Sequence, residues 1–267
     1  MAVGGYWHHR TTGMRKSRNI TNSSFAIDAH LALPEDEVQL WRVDLEAIRA
    51  DESRWQQLLS LDESKRASRF HFPSDRQRFV AARALLRTML AGYLSAAPRD
   101  LHFSYSKKDK PSLGGSHAAS GLMFNVSHSG GVALYAFAHR RDVGIDVEQI
   151  RRDFDVEPIA RRFFSAAEQN QLADFPVAER VDAFFRCWTR KEAYVKATGD
   201  GLSIPLAQFD VSLGAGSEDA LLATRVDSSE AKQWLLRDVA AGPGYAAALC
   251  VRGRDWSLND WPVDPRV

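Results

Sequence analysis

The chain is organised around one segment, Trp188-Thr189-Arg190-Lys191-Glu192-Ala193-Tyr194-Val195-Lys196, within its longest helical pattern, residues 177–198. Apolar residues recur in this pattern at spacings of three and four, which predicts a helix with one buried face. These residues are Val181, Phe184, Phe185, Trp188 and Val195. Glu192 falls in the middle of that face, and Lys196 follows one turn later. A carboxylate among apolar side chains is costly unless it is paired or bound to a metal, so the pattern predicts either an ion pair on the helix rim or a functional acid.

A second acidic pattern lies in the predicted strand 143–149, where side chains alternate between two faces. One face carries Val143, Ile145 and Val147, and the other carries Gly144, Asp146 and Glu148. Two acids on one face of an apolar strand suit a hard cation such as Mg²⁺, although an outward polar face is the alternative. If Glu192 lies close to both, the three carboxylates repel one another unless a cation joins them.

Composition excludes several classes of protein. The chain has 267 residues with 35 Lys and Arg against 34 Asp and Glu, a net charge of +1 that gives no reason to expect nucleic acid. Cys187 and Cys250 form no metal motif and indicate a reducing compartment. No apolar run is long enough to cross a bilayer, and the first residues lack a secretion signal, so we expect a cytoplasmic protein without a membrane partner. Residues 1–26 are basic and lack acids, as in a disordered leader or a stretch ahead of the true translation start.

The remaining patterns alternate short helices and short strands, which predicts an α+β fold. We expect two similar α/β lobes related by a pseudo-twofold axis, with the active site in the cleft between them. The predicted division is a leader at 1–26, an N-terminal lobe at 27–141, a C-terminal lobe with the metal site at 142–255, and a tail at 256–267 that covers a sheet edge. Strands 132–138 and 143–149 are predicted to form a hairpin. Asp62 and Asp75 are expected to cap helices, and Ser165 with Glu168 has the pattern of a capping box.

Basic and hydroxyl side chains cluster ahead of the acids. Six arginines lie in the region 66–87, a basic loop runs through Lys107-Lys108-Asp109-Lys110-Pro111, and a polar turn contains Ser127-His128-Ser129. Arginine matches phosphate oxygens well, although solvated helix faces also account for each arginine taken singly. Chemistry alone therefore predicts a Mg²⁺-dependent site for a pyrophosphate or a phosphate ester.

The two acidic patterns together resemble a known family. Gly144-Ile145-Asp146-Val147-Glu148, followed by Trp188-x-x-Lys191-Glu192-Ala193-x-x-Lys196, is similar to the signature of the 4′-phosphopantetheinyl transferases. The chain length and the turn Phe124-Asn125-Val126-Ser127-His128-Ser129 resemble the Sfp-type of that family. The resemblance extends over residues 61–251 and includes Lys110-Pro111, Arg161-Arg162-Phe163-Phe164-Ser165, Gly201-Leu202-Ser203 and Pro243-Gly244-Tyr245.

The resemblance implies a reaction and a set of roles. The reaction is transfer of 4′-phosphopantetheine from coenzyme A to a serine of an apo acyl or peptidyl carrier protein, with release of adenosine 3′,5′-bisphosphate. Asp146, Glu148 and Glu192 would hold Mg²⁺. Glu192 would also be the base, and Lys196 would offset charge on the pyrophosphate. The implied coenzyme A contacts are Arg66, Arg78, Lys110, Ser127 and His128, with Lys110 and His128 near the 3′-phosphate.

Two positions depart from the best-known member of that family. That protein has a lysine one turn before Arg66, where this chain has Glu63, and a threonine after Arg78, where this chain has Phe79. Lys65 or Arg69 are candidates to replace the missing contacts. Two alternatives stay open: a Mg²⁺-dependent phosphoesterase acting on a nucleotide-like substrate, and a non-catalytic nucleotide-binding module. A monomer is expected, and carriers of fatty acid, polyketide or nonribosomal peptide synthesis all fit.

Overall fold

The computed structural model describes residues 31–47, 52–106, 110–199, 204–217, 219–225 and 227–263. The predicted leader, the segment 107–109 of the basic loop and the motif 201–203 lie outside the described residues. The helices are α1 (Glu52–Gln56), α2 (Leu61–Ala67), α3 (Pro73–Leu94), α4 (Glu157–Phe163), α5 (Ala166–Asp174) and α6 (Val177–Thr198). None of the helices described is long and apolar enough to cross a membrane.

The strands form two larger sheets and two small pairs. The first strands along the chain are β1 (Glu37–Asp44), β2 (Phe103–Tyr105), β3 (Pro111–Leu113), β4 (Leu122–Ser129), β5 (Val132–His139) and β6 (Val143–Gln149). They are followed by β7 (Phe209–Val211), β8 (Leu221–Thr224), β9 (Trp234–Asp238), β10 (Tyr245–Arg252) and β11 (Ser257–Val263). The larger sheets have the strand orders β11-β1-β5-β4 and β6-β10-β9, and the pairs are β2-β3 and β7-β8. Separate helices and largely antiparallel sheets, with β1–β11 as the parallel pair, confirm the predicted α+β fold.

The predicted hairpin between strands 132–138 and 143–149 is wrong. β5 pairs with β1 on one side and with β4 on the other, so neither of its edges is open to β6. β6 instead starts the second sheet and pairs with β10. The hairpin of this region is β4–β5, whose strands meet at Ser129 and Val132 around the Gly130-Gly131 turn.

Side chains of β4 join the two larger sheets. Three backbone N–H groups on the open edge of β6 donate to side-chain oxygens of β4: Ile145 to Asn125 Oδ1 at 2.9 Å, Val147 to Ser127 Oγ at 3.3 Å, and Gln149 to Ser129 Oγ at 3.1 Å. Both strands contribute alternate residues because side chains alternate along a strand. We call this arrangement the side-chain ladder. It satisfies the N–H groups of Ile145 and Val147, which would otherwise be left unpaired in the interior.

Helix α6 packs directly on β6, and Gly144 makes the close approach possible. A Cβ atom at Gly144 would lie 2.1 Å from the carbonyl oxygen of Ala193 and 2.3 Å from the backbone nitrogen of Ala197. Only a residue without a side chain fits there. The contact holds the segment that contains Glu192 and Lys196 against the acidic face of β6.

The predicted tail does cover a sheet edge. β11 runs parallel to β1 in a register that pairs Glu37 with Ser257 and Val43 with Val263. Trp41 and Trp261 stack with ring centroids 6.0 Å apart. The C-terminal strand thus shields β1, which would otherwise be an unpaired edge.

Two of the predicted helix caps are wrong, and one is confirmed. α2 is capped by Ser60 in a capping box with Glu63, and Asp62 lies within the helix. α3 begins at Pro73, so that Asp75 lies in its first turn. In both cases a neighbouring residue provides the better helix start: a hydroxyl paired with an acid three residues later, or a proline at the first position. Ser165 and Glu168 form the predicted capping box at the start of α5, with bonds of 3.2 and 2.9 Å.

Glu63, at the position where the family's best-known member has lysine, has a structural role. The residue is buried and receives hydrogen bonds from Arg83 and Arg87, the latter at 2.6 Å. Burial raises the pKa of this carboxyl, but the two arginines and the N–H of Ser60 together lower it by more, so the net shift is downward. Glu63 therefore carries a buried negative charge that ties α2 to α3.

Candidate active site

The acidic face of β6 and one face of α6 meet at Asp146. The ammonium of Lys196 lies 2.6 Å from Asp146 Oδ1, and the hydroxyl of Ser127 donates to the same oxygen at 3.0 Å. Lys196 also donates to Ser127 Oγ at 3.1 Å. Asp146 is 3% exposed, yet its second oxygen, Oδ2, is buried with no hydrogen-bond partner among the described residues. A buried carboxylate oxygen without a partner is costly, which indicates that another ligand completes this site.

The two glutamates share this environment. Burial raises the pKa of Glu148, the Asp146 charge raises it further, and a 2.8 Å hydrogen bond from Ser129 partly offsets the shift. Burial also raises the pKa of Glu192, with the charges of Asp146 and Glu148 acting in the same direction and Lys196 opposing them. The Asp146 charge thus acts on both glutamates, and the Glu148 charge acts on Glu192, as expected when like charges lie close together. The structure brings Lys196 into contact with Asp146 and places Glu148 and Glu192 within electrostatic reach of both, whereas the catalytic and metal-binding roles of the four residues stay predictions.

The donor atoms suit Mg²⁺, although the side chains do not form a closed cage. Among the residues that the structure describes, no three acidic, histidine or cysteine side chains stand close enough together to hold a metal ion as they are. In this arrangement Lys196 supplies the positive charge at Asp146. All the candidate ligands are carboxylate oxygens, which hard cations prefer, and Asp146 Oδ2 is available. The residues therefore fit a magnesium ion, provided that side chains rearrange.

The predicted coenzyme A contacts are only partly brought together. Although more than a third of the His128 surface stays exposed at the end of β4, partial desolvation of the imidazole lowers its pKa, and the charges of Lys196 and Arg66 add to the shift. Arg66 lies near His128 with its guanidinium 5.5 Å from the ring centre of Phe79. Phe79, the second departure from the family's best-known member, thus packs against the guanidinium of Arg66.

Two other predicted contacts are engaged elsewhere. Arg78 forms ion pairs with Glu46 and Asp75. The ammonium of Lys110 donates to the backbone carbonyl groups of Val143, at the start of β6, and of Lys196 and Ala197, at the end of α6. Three acceptors use all three donors of a lysine. Burial lowers the pKa of Lys110. In this structure Lys110 cannot meet a phosphate without breaking these bonds, whereas Arg78 uses three of its five N–H donors and has two left.

A cavity of about 230 Å³ lies beside Lys110. Its wall includes Pro111 and Ser112 of β3, Met123 and Phe124 of β4, and Gly199. Gly199 ends α6 in the left-handed region with φ +77°. The cavity is mainly apolar with a few polar groups, which is the usual character of a small-molecule pocket.

Sequence reasoning missed the role of Lys191, although this residue belongs to the helical motif. Lys191 is fully buried and lies 2.7 Å from Glu168 Oε1, and it donates to the carbonyl groups of Leu206 and Phe209 at 2.7 and 2.8 Å. Glu168 is the capping-box acid of α5 and also accepts from Val211 N at 2.8 Å. The buried pair therefore joins α5, α6 and β7. Glu168 was visible in the sequence only as a cap, because its distant partners depend on the tertiary fold.

The two cysteines take no part in the site. Cys187 and Cys250 are free and fully buried. Burial raises the pKa of both thiols, so neither is prepared as a nucleophile.

Comparison with known proteins shows the family. Residues 142–250 match the model of the 4′-phosphopantetheinyl transferase superfamily, and residues 46–140 match the model of the N-terminal part of a 4′-phosphopantetheinyl transferase. The 4′-phosphopantetheinyl transferase HetI of Nostoc sp. is 42% identical over 235 residues, which cover 87% of this chain and 94% of that protein. The chain belongs to the 4′-phosphopantetheinyl transferase superfamily.

Two further relatives agree with the predicted type. A putative 4′-phosphopantetheinyl transferase of Synechocystis sp. is 35% identical and covers 85% of this chain and 89% of its own length. Sfp of Bacillus subtilis is 29% identical over an alignment that covers 77% of this chain and 88% of Sfp. The Sfp-like resemblance is confirmed, and the protein is a transferase enzyme whose family moves 4′-phosphopantetheine to carrier proteins. The alternative of a phosphoesterase finds no support.

Proposed function

We propose that this transferase takes phosphopantetheine from coenzyme A, with Mg²⁺, and attaches it to a serine hydroxyl of an apo acyl or peptidyl carrier protein. The serine oxygen forms a bond to the phosphorus that carries the pantetheine arm. The bond from that phosphorus to the adenosine side breaks, which releases adenosine 3′,5′-bisphosphate, and the serine proton passes to a base. The observation that carries the proposal is the cluster of three acids around Lys196, with Asp146 Oδ2 left without a partner.

Asp146, Glu148 and Glu192 are the proposed ligands of the magnesium ion. When bound, this ion neutralises negative charge on the pyrophosphate during transfer. The proposal is supported by the raised pKa values of Glu148 and Glu192, because burial and mutual repulsion leave both carboxyl groups short of positive charge.

Lys196 is proposed to stabilise negative charge on the pyrophosphate, and Glu192 is proposed to accept the proton of the carrier serine. The side chain of Lys196 is 30% exposed beside the buried Asp146, so its ammonium can turn toward a substrate pyrophosphate. Glu192 is the proposed base for the carrier serine. Because burial raises the pKa of Glu192, this carboxylate accepts a proton more readily near neutral pH than an exposed glutamate does.

Coenzyme A is proposed to lie where the two larger sheets meet, in the cleft between two similar lobes. Ser127 and His128 come from β4 of the first sheet, whereas the acids come from β6 and α6. The proposed coenzyme contacts remain Arg66, Arg78, Lys110, Ser127 and His128, and the cavity beside Lys110 offers space for the adenosine end. Arg78 and Lys110 would exchange their present partners for the ligand. A monomer in the cytoplasm, without a nucleic-acid partner, remains part of the proposal.

The test is to measure the mass of a carrier protein by mass spectrometry after incubation with the enzyme, coenzyme A and Mg²⁺. We expect the apo carrier to gain the mass of one phosphopantetheine arm, and to gain nothing when EDTA replaces Mg²⁺. Release of phosphate from coenzyme A without a carrier would support a phosphoesterase instead. Coenzyme A binding with no product would indicate a non-catalytic module.

Lys196→Ala should slow the reaction more than it weakens coenzyme A binding. The charge on the pyrophosphate grows in the transition state, so we expect kcat to fall by about 10²–10³-fold while KM for coenzyme A changes by only a few-fold. Steady-state kinetics of carrier modification measure both constants. Lys232→Ala, at an exposed position, is the matched control and should behave like the unmodified enzyme. A raised KM at unchanged kcat would remove Lys196 from the transition state.

A further inference from the structure

The side-chain ladder has a repeating unit that reaches into the acidic cluster. On β4, Ser127 accepts from the N–H of Val147 and donates to the carboxylate of Asp146. Two residues later, Ser129 accepts from the N–H of Gln149 and donates to the carboxylate of Glu148. Each serine thus bonds the backbone just after an acid and the side chain of that acid. The repeat follows from the period of two that both strands share.

The hydrogen-bonding capacity of Ser127 is fully used within the protein. A hydroxyl offers one donor and two acceptor positions. Ser127 Oγ donates to Asp146 at 3.0 Å and accepts from Val147 N at 3.3 Å and from Lys196 Nζ at 3.1 Å. The side chain is also buried, at 7% exposure. In this arrangement its hydroxyl must give up one of these three bonds before it can contact coenzyme A.

Ser129 repeats this geometry at a simpler position. Its hydroxyl donates to Glu148 Oε2 at 2.8 Å, and its oxygen accepts from Gln149 N at 3.1 Å. Because the one proton of the hydroxyl goes to the carboxylate, the bond fixes one oxygen of Glu148 and leaves the other unbonded to Ser129. Asn125 forms the third step of the ladder, but it faces Ile145 next to Gly144, where there is no carboxylate. Ser127 and Ser129 therefore each hold a carboxylate as well as a backbone N–H of β6, whereas Asn125 holds a backbone N–H of β6 beside a residue that has no carboxylate.

We propose that the hydroxyls of Ser127 and Ser129 are positioning groups that orient the carboxylates of Asp146 and Glu148 for the divalent cation. The inference rests on the proposed metal site and adds the residues that hold two of its ligands in place. A hydrogen bond behind a metal-binding carboxylate fixes its orientation, and loss of such a bond weakens metal affinity by about 10–100-fold. Ser129 is the better position to test, because Ser127 also contacts Lys196.

The experiment measures Mn²⁺ binding to the full-length enzyme by electron paramagnetic resonance, with and without coenzyme A, and so does not depend on turnover. Ser129→Ala should raise the Kd for Mn²⁺ by roughly 10-fold, and Ser129→Thr, which keeps the hydroxyl, should restore it to within about 2-fold of the unmodified enzyme. The Mg²⁺ concentration needed for half-maximal activity should rise in parallel, at unchanged KM for coenzyme A.

Asn125→Ala provides the matched structural control. It removes the same kind of bond to β6 without touching a carboxylate, so Tm should fall while Mn²⁺ affinity stays unchanged. If Ser129→Ala lowers only Tm, as Asn125→Ala does, the hydroxyl merely joins the sheets and the inference is overturned. Should Asn125→Ala fail to fold, the comparison of Ser129→Ala with Ser129→Thr decides alone. Failure of the unmodified enzyme to bind Mn²⁺ in either condition would overturn the metal site itself, and this inference with it.

Discussion

Glu192→Gln is expected to abolish phosphopantetheine transfer and, in the absence of divalent ions, to stabilise the fold. The substitution keeps the size of the side chain and removes one metal-binding charge together with the proposed base. Metal charge at a transferring phosphoryl group contributes several kcal/mol, so kcat/KM should fall by at least about 10³-fold. The gain in stability has a separate cause. The native cluster sets three acids against the single positive charge of Lys196, so removing one negative charge relieves repulsion.

The pH dependence of that gain follows from the raised pKa of Glu192. The native state retains the proton of this carboxyl to higher pH than the unfolded state, where the ordinary value is 4.5. The unfolded state therefore binds fewer protons above that value, and the free energy of unfolding falls as pH rises. Below about pH 4 both states are protonated, so the Gln variant and the unmodified protein should have similar stability there. At neutral pH the variant should be the more stable of the two.

Denaturant unfolding in EDTA at pH 4 and at pH 7.5 measures this difference, and carrier mass measures transfer. Glu179→Gln, at an exposed position in the first turn of α6, is the matched control and should change stability by less than about 0.5 kcal/mol. Adding Mg²⁺ should stabilise the unmodified protein more than the Glu192→Gln variant. Transfer by that variant in magnesium buffer, or a neutral-pH stability below that of the unmodified protein, would contradict the assignment.

Gly144→Ala is expected to disrupt the active site without changing any of its charged groups. The new Cβ would lie 2.1 Å from Ala193 O and 2.3 Å from Ala197 N, so the backbone of α6 must move away from β6. Overpacking of this kind costs about 1–3 kcal/mol of stability. The same shift separates Glu192 and Lys196 from Asp146, and a displacement of about 1 Å at a reacting centre can reduce the rate about 10²-fold.

Gly214→Ala is the matched control for this substitution. A Cβ at Gly214 would come no closer than 3.5 Å to another atom, Ser212 Oγ, which is ordinary contact. Circular dichroism and denaturant unfolding report the fold of both variants, and carrier mass reports their activity. Full activity of Gly144→Ala would show that the close contact of α6 with β6 does not place the acids.

Periodicity carried most of the information that the sequence held about the site. The spacing of three and four predicted α6 with the bounds that the structure has, and it placed Glu192 and Lys196 on one side of the helix. The period of two in β6 separated Asp146 and Glu148 from the apolar face. Such patterns are readable because the environment of a side chain within one element depends on local geometry alone.

Pairing between distant elements was not readable in the same way. The order of β5 and β6 in the chain indicated a hairpin, but β1 from far upstream occupies the edge that β6 would need. β11 crosses back to β1 over more than two hundred residues, and the sequence showed only that a tail covers some edge. Strand partners are chosen by the packing of the whole molecule, so local composition does not specify them.

The sequence by itself thus determined the candidate residues for the chemistry: two acids on one face of a strand, one acid in a helix, and a lysine one turn further on. Only the tertiary structure decided how they are held. It assigned Lys191 and Glu63 to buried ion pairs, engaged Lys110 at the end of α6, and placed two serines of β4 behind two acids of β6. The physical reason is that the number of hydrogen bonds each group can form is limited, and the partner that uses them is known only when distant segments meet.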